Sequence, residues 1–358
     1  MRKKVLVGMS GGVDSSVSAL LLKEEGYDVS GVFMKVWDEK YKGFISGHSC
    51  FSPDRKDTED VKSVAEMLGI KLYIVDLVKE FSNAVLDYFK KEYIKGRTPN
   101  PCVVCNRYIK FGILIEKMRE MDSFDFFATG HYANVGYNRR KGRYILKKGM
   151  DKNKDQSYFL FLLTQTQLSN VMFPLGKYTK TEVRSIAERY KLPVSDKEES
   201  QDFIDGDIKK FFSGKEKQGD ILDIEGNVIG RHKGIVFYTV GQRKGMGIAK
   251  GIPLYVIEID TKHNRIVVGD KRKVYKSEFL VEKPNWVSIE GIKEPLKAYV
   301  RIRYKHTESP ATIYPPDRYN YSKVVFDKPQ WAITPGQAAV FYEGDVLLGG
   351  GFITTVYR

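Results

Sequence analysis

The chain has 358 residues, 42% hydrophobic and 29% charged, which excludes disorder as its main state and exceeds one typical domain. Lysine and arginine number 59 against 45 acidic residues, a formal net charge of +14, so either a polyanion such as nucleic acid or plain solubility accounts for the excess. The apolar run after MRKK is too short for a signal segment, and no stretch reaches the roughly 18 apolar residues of a spanning helix; a cytoplasmic protein with no membrane partner is expected.

In chain order, Val5 to Met9 is a short apolar strand that runs into Ser10-Gly11-Gly12. Val17, Leu20 and Leu21 then give helical spacing up to Gly26. Tyr27 to Val36 reads as a second strand, Val61, Val64, Ala65 and Leu68 as one face of a helix, and Lys71 to Leu77 as a third strand. A helix from about Phe81 to Lys95 ends before Gly-Arg-Thr-Pro-Asn-Pro, which no helix continues through. A further helix is expected from Asn106 to about Met121, then a strand from Phe124 to Thr129 that ends at Gly130 and His131. Strands alternating with helices imply a doubly wound parallel sheet whose ligand sits at the carboxyl ends of the strands. Next come a basic hairpin, NVGYNRRKGRYILKKG, and KDQSYFLFLL, read as helix. Thr179 and Glu182 form a capping box before another helix. Beyond about Asp205 the chain turns to short Val-, Ile-, Tyr- and Gly-rich strands, the pattern of small β domains or a barrel.

Ser10-Gly11-Gly12-Val13-Asp14-Ser15-Ser16 follows a strand and opens a helix. Glycines allow close approach to an anion, and the free N–H groups, hydroxyls and helix N-terminus supply donors to phosphate oxygens. The loop has neither the G-K-[ST] ending of a Walker A loop nor a G-x-G-x-x-G. SGGxDS is the pyrophosphate loop (PP-loop) of N-type ATP pyrophosphatases, which adenylate a carbonyl-type oxygen; the loop by itself leaves the substrate open. Cys102-Val103-Val104-Cys105 lies in a proline-rich segment, with Cys105 near the start of the next helix, where the dipole favours a thiolate. Metal site, redox pair and nucleophile are all open for such a pair, although no second C-x-x-C exists to complete a structural zinc site. Cysteine usage, with Cys50 as the third and last, fits a reducing compartment.

From end to end the chain resembles the tRNA-specific 2-thiouridylases. The resemblance rests, in order, on VGMSGGVDSSV, GVFMKVW, Cys50 before DTEDVKSVAEMLGI, RTPNPCVVCN, ATGHYA, KDQSYFL, ESQD, HKGIVFYTVGQRKGMGIA, VRIRYKH and TPGQAAVFY. It implies an α/β fold with a PP-loop domain and its catalytic loop over 1–205, a small central β-rich domain over 206–275 and a C-terminal β-barrel over 276–358, the last two tRNA-binding. It implies that Gly8, Met9, Ser10, Gly11, Gly12, Val13, Asp14 and Ser15 cradle ATP, with Met34 and Gly130 lining the adenosine pocket. Asn100, Pro101 and Cys102 would face the target base, and Cys105 would be the nucleophile. His131, Lys154, Asp155, Gln156, Arg303, Tyr304 and Gln337 would contact tRNA. The implied reaction uses ATP, with Mg²⁺ on its phosphates, to adenylate O2 of the wobble uridine in tRNAs for Lys, Glu and Gln; sulfur then displaces AMP. The partners implied are the anticodon stem-loop and a sulfur-donor protein or inorganic sulfide, with the enzyme acting as a monomer.

One departure bears on mechanism. Family members usually carry a cysteine just after ESQD; here the text is Glu199-Ser200-Gln201-Asp202-Phe203-Ile204-Asp205-Gly206, and no cysteine follows Cys105. Cys102 then substitutes in a two-cysteine relay, or Cys50, Cys102 and Cys105 hold a [4Fe–4S] cluster, or thiolation is lost and a tRNA-binding paralog remains. A small-molecule adenylating ligase is the rival from another class, and the basic, β-rich C-terminal half argues against it.

Overall fold

The computed structural model describes residues 2–38, 55–198, 211–212, 217–248 and 251–357. Cys50, His48 and the segment 199–206 lie outside the described residues. The N-terminal region runs β1 (Lys4–Gly8), α1 (Val13–Glu24), β2 (Asp28–Lys35), α2 (Arg55–Leu68), β3 (Lys71–Asp76), a helix α3 over 78–94, a helix α4 over 101–121 and β4 (Phe126–Thr129). It continues through the hairpin β5 (Ala133–Asn138) and β6 (Arg143–Lys148), the short β7 (Val171–Met172) and α5 (Lys180–Arg189). Strands β3-β2-β1-β4-β7 form one parallel sheet in that order. Side chains alternate across it: Val5 and Val7 pack with Val17 of α1, Val64 of α2 and Val183 of α5, while Leu6 packs with Phe81 of α3 and Ile109 of α4. The chain order reverses between β1 and β4, and the segments that follow these two strands flank the crevice expected of such a switch point.

Two expectations need correction. α4 begins at Pro101 rather than after Asn106, with the proline at the first helical position, where its missing N–H is no loss. Both Cys102 and Cys105 therefore lie within the helix, and Cys105 opens a π-helical stretch, Cys105–Ile113. KDQSYFLFLL is not a helix but a single 3-10 turn, Ser157–Leu160. Its polar side chains are drawn to other backbone groups: the Asp155 carboxylate accepts from Gly149 N and Ser157 N, and Gln156 accepts from Tyr132 N. The capping box is as expected, with Thr179 and Glu182 bonding reciprocally at the start of α5.

The central region is a four-stranded sheet of β8 (Gly219–Leu222), β9 (Val228–His232), β10 (Tyr255–Asp260) and β11 (Arg265–Gly269), around Ile221, Val256, Ile266 and Val268. The C-terminal region closes β12 (Tyr275–Trp286), β13 (Leu296–Arg301), β14 (Ser309–Ile313), β15 (Tyr321–Trp331), β16 (Ala338–Glu343) and β17 (Val346–Val356) into an antiparallel barrel, sealed where β12 pairs with β17. Phe279, Val300, Val324 and Phe341 fill it.

The basic hairpin belongs structurally to this barrel, because β6 pairs with β17 through Lys147–Val346 and Leu146–Leu347. A buried ionic network reinforces the joint. Arg301 donates to Asp155 at 3.0 Å and to Glu308 at 2.7 Å, and Lys148 of β6 donates to Glu308 at 2.7 Å. Asp155 is 3% exposed. Removing one member of such a pair strands the other charge, at a cost of about 3–5 kcal/mol. Asp155→Ala is expected to lower the thermal melting temperature by more than about 5 °C; calorimetry or fluorescence melting checks this.

Candidate active site

The loop between β1 and α1 is shaped by steric necessity. Gly11 has φ +77°, and a Cβ on it would lie 2.8 Å from the Asp57 carbonyl oxygen. The Ser15 hydroxyl accepts from Ser10 N at 3.1 Å and donates to the Gly12 carbonyl at 3.1 Å, closing the loop on itself. Gly12 is the N-cap of α1 and offers no side chain to its first turn, which leaves N–H groups there of the kind that bind an anion without a side-chain cap. Gly130, at the end of β4, backs onto this loop: a Cβ would lie 2.8 Å from the Asp14 carbonyl carbon and 2.9 Å from Ser15 N. Gly8 ends β1, and Met9 is buried with its N–H donated to Val32 O, so these two set the backbone path. Met34 lies on β2, partly buried against the core.

Two residues at this loop were missed by the sequence reading. Asp14 accepts from the Lys180 ammonium at 2.7 Å and from the Tyr132 hydroxyl at 2.8 Å. Lys180 is 8% exposed and stands at the first position of α5. A cation there opposes the helix dipole, so its presence immediately after a capping-box threonine is a signal that it serves a partner elsewhere. His131 follows Gly130. Its Nδ1 is 2.8 Å from the Thr129 hydroxyl, and its ring packs against Phe111 and Phe173. Burial, with Lys110 adding to it, holds the imidazole well below its ordinary pKa.

Phe111 lies on α4 and links the two halves of the site. Upstream on the same helix are Cys102, partly exposed, and Cys105, buried. Their spacing puts them on one face. Asn106, just after Cys105, donates to Phe159 O at 3.2 Å. Asn100, 7% exposed, caps the start of the helix, and its N–H donates to the Tyr88 hydroxyl at 3.3 Å. Pro101 is buried.

The remaining candidates make contacts within the chain. Gln156 and Tyr132 are joined in both directions through backbone and side chain, while Lys154 stands in the turn before Asp155. Arg303 donates to the carbonyls of Trp331 and Ala332. The Tyr304 ring lies 4.6 Å from that of Phe159. Gln337 donates to the carbonyls of Thr98 and Pro99. The structure thus sets Gly130 against the Ser10–Ser15 loop with His131 next to it, links His131 through Phe111 to the cysteine helix, and engages Asp155, Gln156, Arg303, Tyr304 and Gln337 in contacts within the chain. Among the described residues no group of three or more His, Cys, Asp or Glu side chains gathers to hold a metal ion.

Family models match three consecutive stretches of the chain. Residues 3–205 match the tRNA methyl transferase HUP domain, 208–270 the tRNA methyl transferase PRC-barrel domain and 276–353 the aminomethyltransferase beta-barrel domain. The chain is 49% identical over 363 residues to tRNA-specific 2-thiouridylase MnmA 2 of Thermoanaerobacter sp. (strain X514), covering 99% of this chain and 98% of the relative. The chain belongs to the tRNA-specific 2-thiouridylase family. A second 2-thiouridylase, MnmA 1 of Caldanaerobacter subterraneus subsp. tengcongensis, is 50% identical over the full length of both chains. The 2-thiouridylase of Clostridioides difficile (strain 630) is 44% identical over 99% of this chain and 98% of its own.

Two outcomes follow from this geometry. Gly130→Ala pushes a methyl into the backbone of Asp14 and Ser15, and is expected to weaken ATP binding by at least about tenfold with the fold retained; titration calorimetry reads it. The unfolded imidazole of His131 takes up a proton below about pH 6.5, whereas the folded one resists it to lower pH. Its contribution to stability is therefore present above that pH and is lost on acidification. In denaturant titrations at pH 7.5 and 5.5, His131→Gln is expected to lose less stability between the two than the parent chain.

Proposed function

We propose that the chain is a tRNA-uridine 2-sulfurtransferase that converts the wobble uridine of tRNAs for Lys, Glu and Gln to 2-thiouridine, acting in the cytoplasm as a monomer. The observation that carries this reading is the match to 2-thiouridylases throughout the chain's length, in a chain with a glycine-rich loop opening α1 and a cysteine pair on α4, the helix whose Phe111 packs against His131. The first-turn N–H groups of α1 and the Ser10 hydroxyl hold the phosphates of ATP, and Lys180 reaches them from α5. Mg²⁺ fits as an ion that arrives on those phosphates, since Asp14 offers a hard oxygen beside the loop and no all-protein metal cage is formed among the described residues. When bound, it screens phosphate charge.

The target uridine leaves its stack and its O2 attacks the α-phosphorus, releasing pyrophosphate and making the oxygen part of a good leaving group. Cys102, the more exposed of the pair, carries a persulfide received from a sulfur-donor protein. The terminal persulfide sulfur attacks C2 and AMP departs with the oxygen. The Cys105 thiolate then attacks the Cys102 sulfur, breaking the S–S bond to the base. This releases 2-thiouridine and leaves a Cys102–Cys105 disulfide, which a cellular dithiol reduces. The relay needs no cysteine after ESQD. Of the three thiolates that an iron–sulfur cluster would take, Cys102 and Cys105 are among the described residues and Cys50 lies outside them. The net charge of +14 favours phosphate contacts with the anticodon stem.

Cys105→Ser is expected to abolish multiple turnover on unmodified tRNA and to accumulate a tRNA adduct on Cys102 that dithiothreitol releases, as read by gel shift and mass spectrometry. Undiminished thiolation by this variant, or activity that depends on added iron, overturns the relay.

A further inference from the structure

The segment Arg97–Asn100, which links α3 to α4, belongs to no strand and precedes the helix that carries the cysteines. Pro99 and Pro101 have no N–H, so the backbone donors between Thr98 and Pro101 are those of Thr98 and Asn100. The first donates to Pro335 O at 2.8 Å, and the second goes to Tyr88. The carbonyls of Thr98 and Pro99 both accept from one group, the Gln337 carboxamide nitrogen, at 3.1 Å each. Thr98 Oγ1 meets Thr239 Oγ1 of the central region at 3.1 Å.

The brace is itself fixed. Gly336 N donates to Ile353 O and Ile353 N to Gln337 O, both at 2.8 Å, which ties the Thr334–Gln337 turn to β17. Gly336 has φ +90°, and a Cβ on it would lie 2.7 Å from Thr98 O, so the turn and the segment are in close backbone contact. Just beyond, the Tyr158 hydroxyl donates to Ala338 O at 3.0 Å. Gln337 lies 239 and 238 residues from Thr98 and Pro99, and Thr239 lies 141 from Thr98, so these are contacts between regions, not a local turn.

We propose that Gln337 is a positioning residue for sulfur transfer, acting through the Thr98 and Pro99 carbonyls to set the start of α4 and with it Cys102 and Cys105. The barrel is then a working part of the sulfur-transfer site as well as a surface for RNA. With both donated contacts made inside the chain, the carboxamide keeps no N–H for a phosphate oxygen and retains only its acceptor oxygen for a base. The inference rests on reading the cysteine pair as the sulfur-handling group.

The test compares the parent chain with Gln337→Ala, Gln337→Glu and Gln337→Lys. Alanine removes the donor; glutamate keeps the shape and turns acceptor oxygens toward two carbonyls; lysine restores an N–H donor on a stem long enough to reach them. Three measurements are made on each folded variant: kcat and KM for tRNA thiolation, tRNA affinity by filter binding, and the pH-dependent rate of iodoacetamide labelling of Cys102 in the tRNA-free protein. The expected result is a fall in kcat of about 10- to 100-fold for Ala and Glu, with KM and affinity within about threefold, an altered labelling rate or pH midpoint, and partial recovery by Lys. A tenfold or greater loss of tRNA affinity with parent-like labelling overturns it in favour of direct contact. Labelling is read without tRNA or ATP, so it reports positioning even if thiolation itself fails in the parent chain. Should Gln337→Ala not fold, the near-isosteric Glu variant carries the test.

Discussion

A peptide that places proline at two of three consecutive positions gives up two N–H groups, and whatever carbonyls it exposes must find donors elsewhere. Thr98-Pro99-Asn100-Pro101 is such a peptide, and it stands directly before the helix with both candidate sulfur carriers. Gln337 donates to the Thr98 and Pro99 carbonyls, while the two N–H groups that remain, of Thr98 and Asn100, go to the Pro335 carbonyl and the Tyr88 hydroxyl of α3, and Thr239 of the central region meets the Thr98 hydroxyl. Proline also removes conformational freedom from the unfolded chain, so a segment held by few hydrogen bonds is ordered at lower entropic cost than its length implies. A rigid segment with external supports is well suited to carrying a group that must meet an activated carbon at bonding distance.

The phosphate loop follows a different logic. Its hydrogen bonds are mostly internal, between Ser10, Gly12, Ser15 and Ser16, and its tightest neighbour, Gly130, shapes it by having no side chain. Lys180 and Tyr132 hold Asp14 from two different elements. One half of the site is thus defined locally, by turn geometry, and the other by the assembly of three regions.

This division explains what was legible in the sequence. The parallel sheet, its helices and the phosphate loop could be read because periodicity, glycine placement and the capping box are local signals, as Val5, Gly12 and Thr179 illustrate. The start of α4 was misplaced because Pro101 was read as a breaker, although at the first helical position it is an initiator. The helical reading of KDQSYFLFLL followed its apolar spacing and failed because Asp155 and Gln156 bond backbone groups of Gly149 and Tyr132. Residues such as Arg303 and Gln337 stand out in the family motifs, but sequence alone does not say whether a polar side chain faces RNA or a carbonyl on another part of its own chain. The pairing of the 133–148 hairpin with the last strand had no sequence signal, since register between strands so far apart is fixed only by the folded whole.

That pairing has a consequence in time. During synthesis the hairpin leaves the ribosome long before Val346 and Leu347 exist, so the edge of β6 at Leu146 and Lys147 has no β17 to cover it until those residues have been made, about 200 residues later. The parallel sheet can form early, but the joint between the first and last regions is necessarily among the final events. Closing such a long loop is also slow by topology. Lysines at positions 147 and 148 put charge on that waiting edge, the device by which natural sheets resist pairing with a wrong strand. A chain cut short before β17 would therefore lack more than a barrel strand: it would leave an unpaired edge on the N-terminal region as well, and incomplete copies would be marked by that edge for aggregation or degradation.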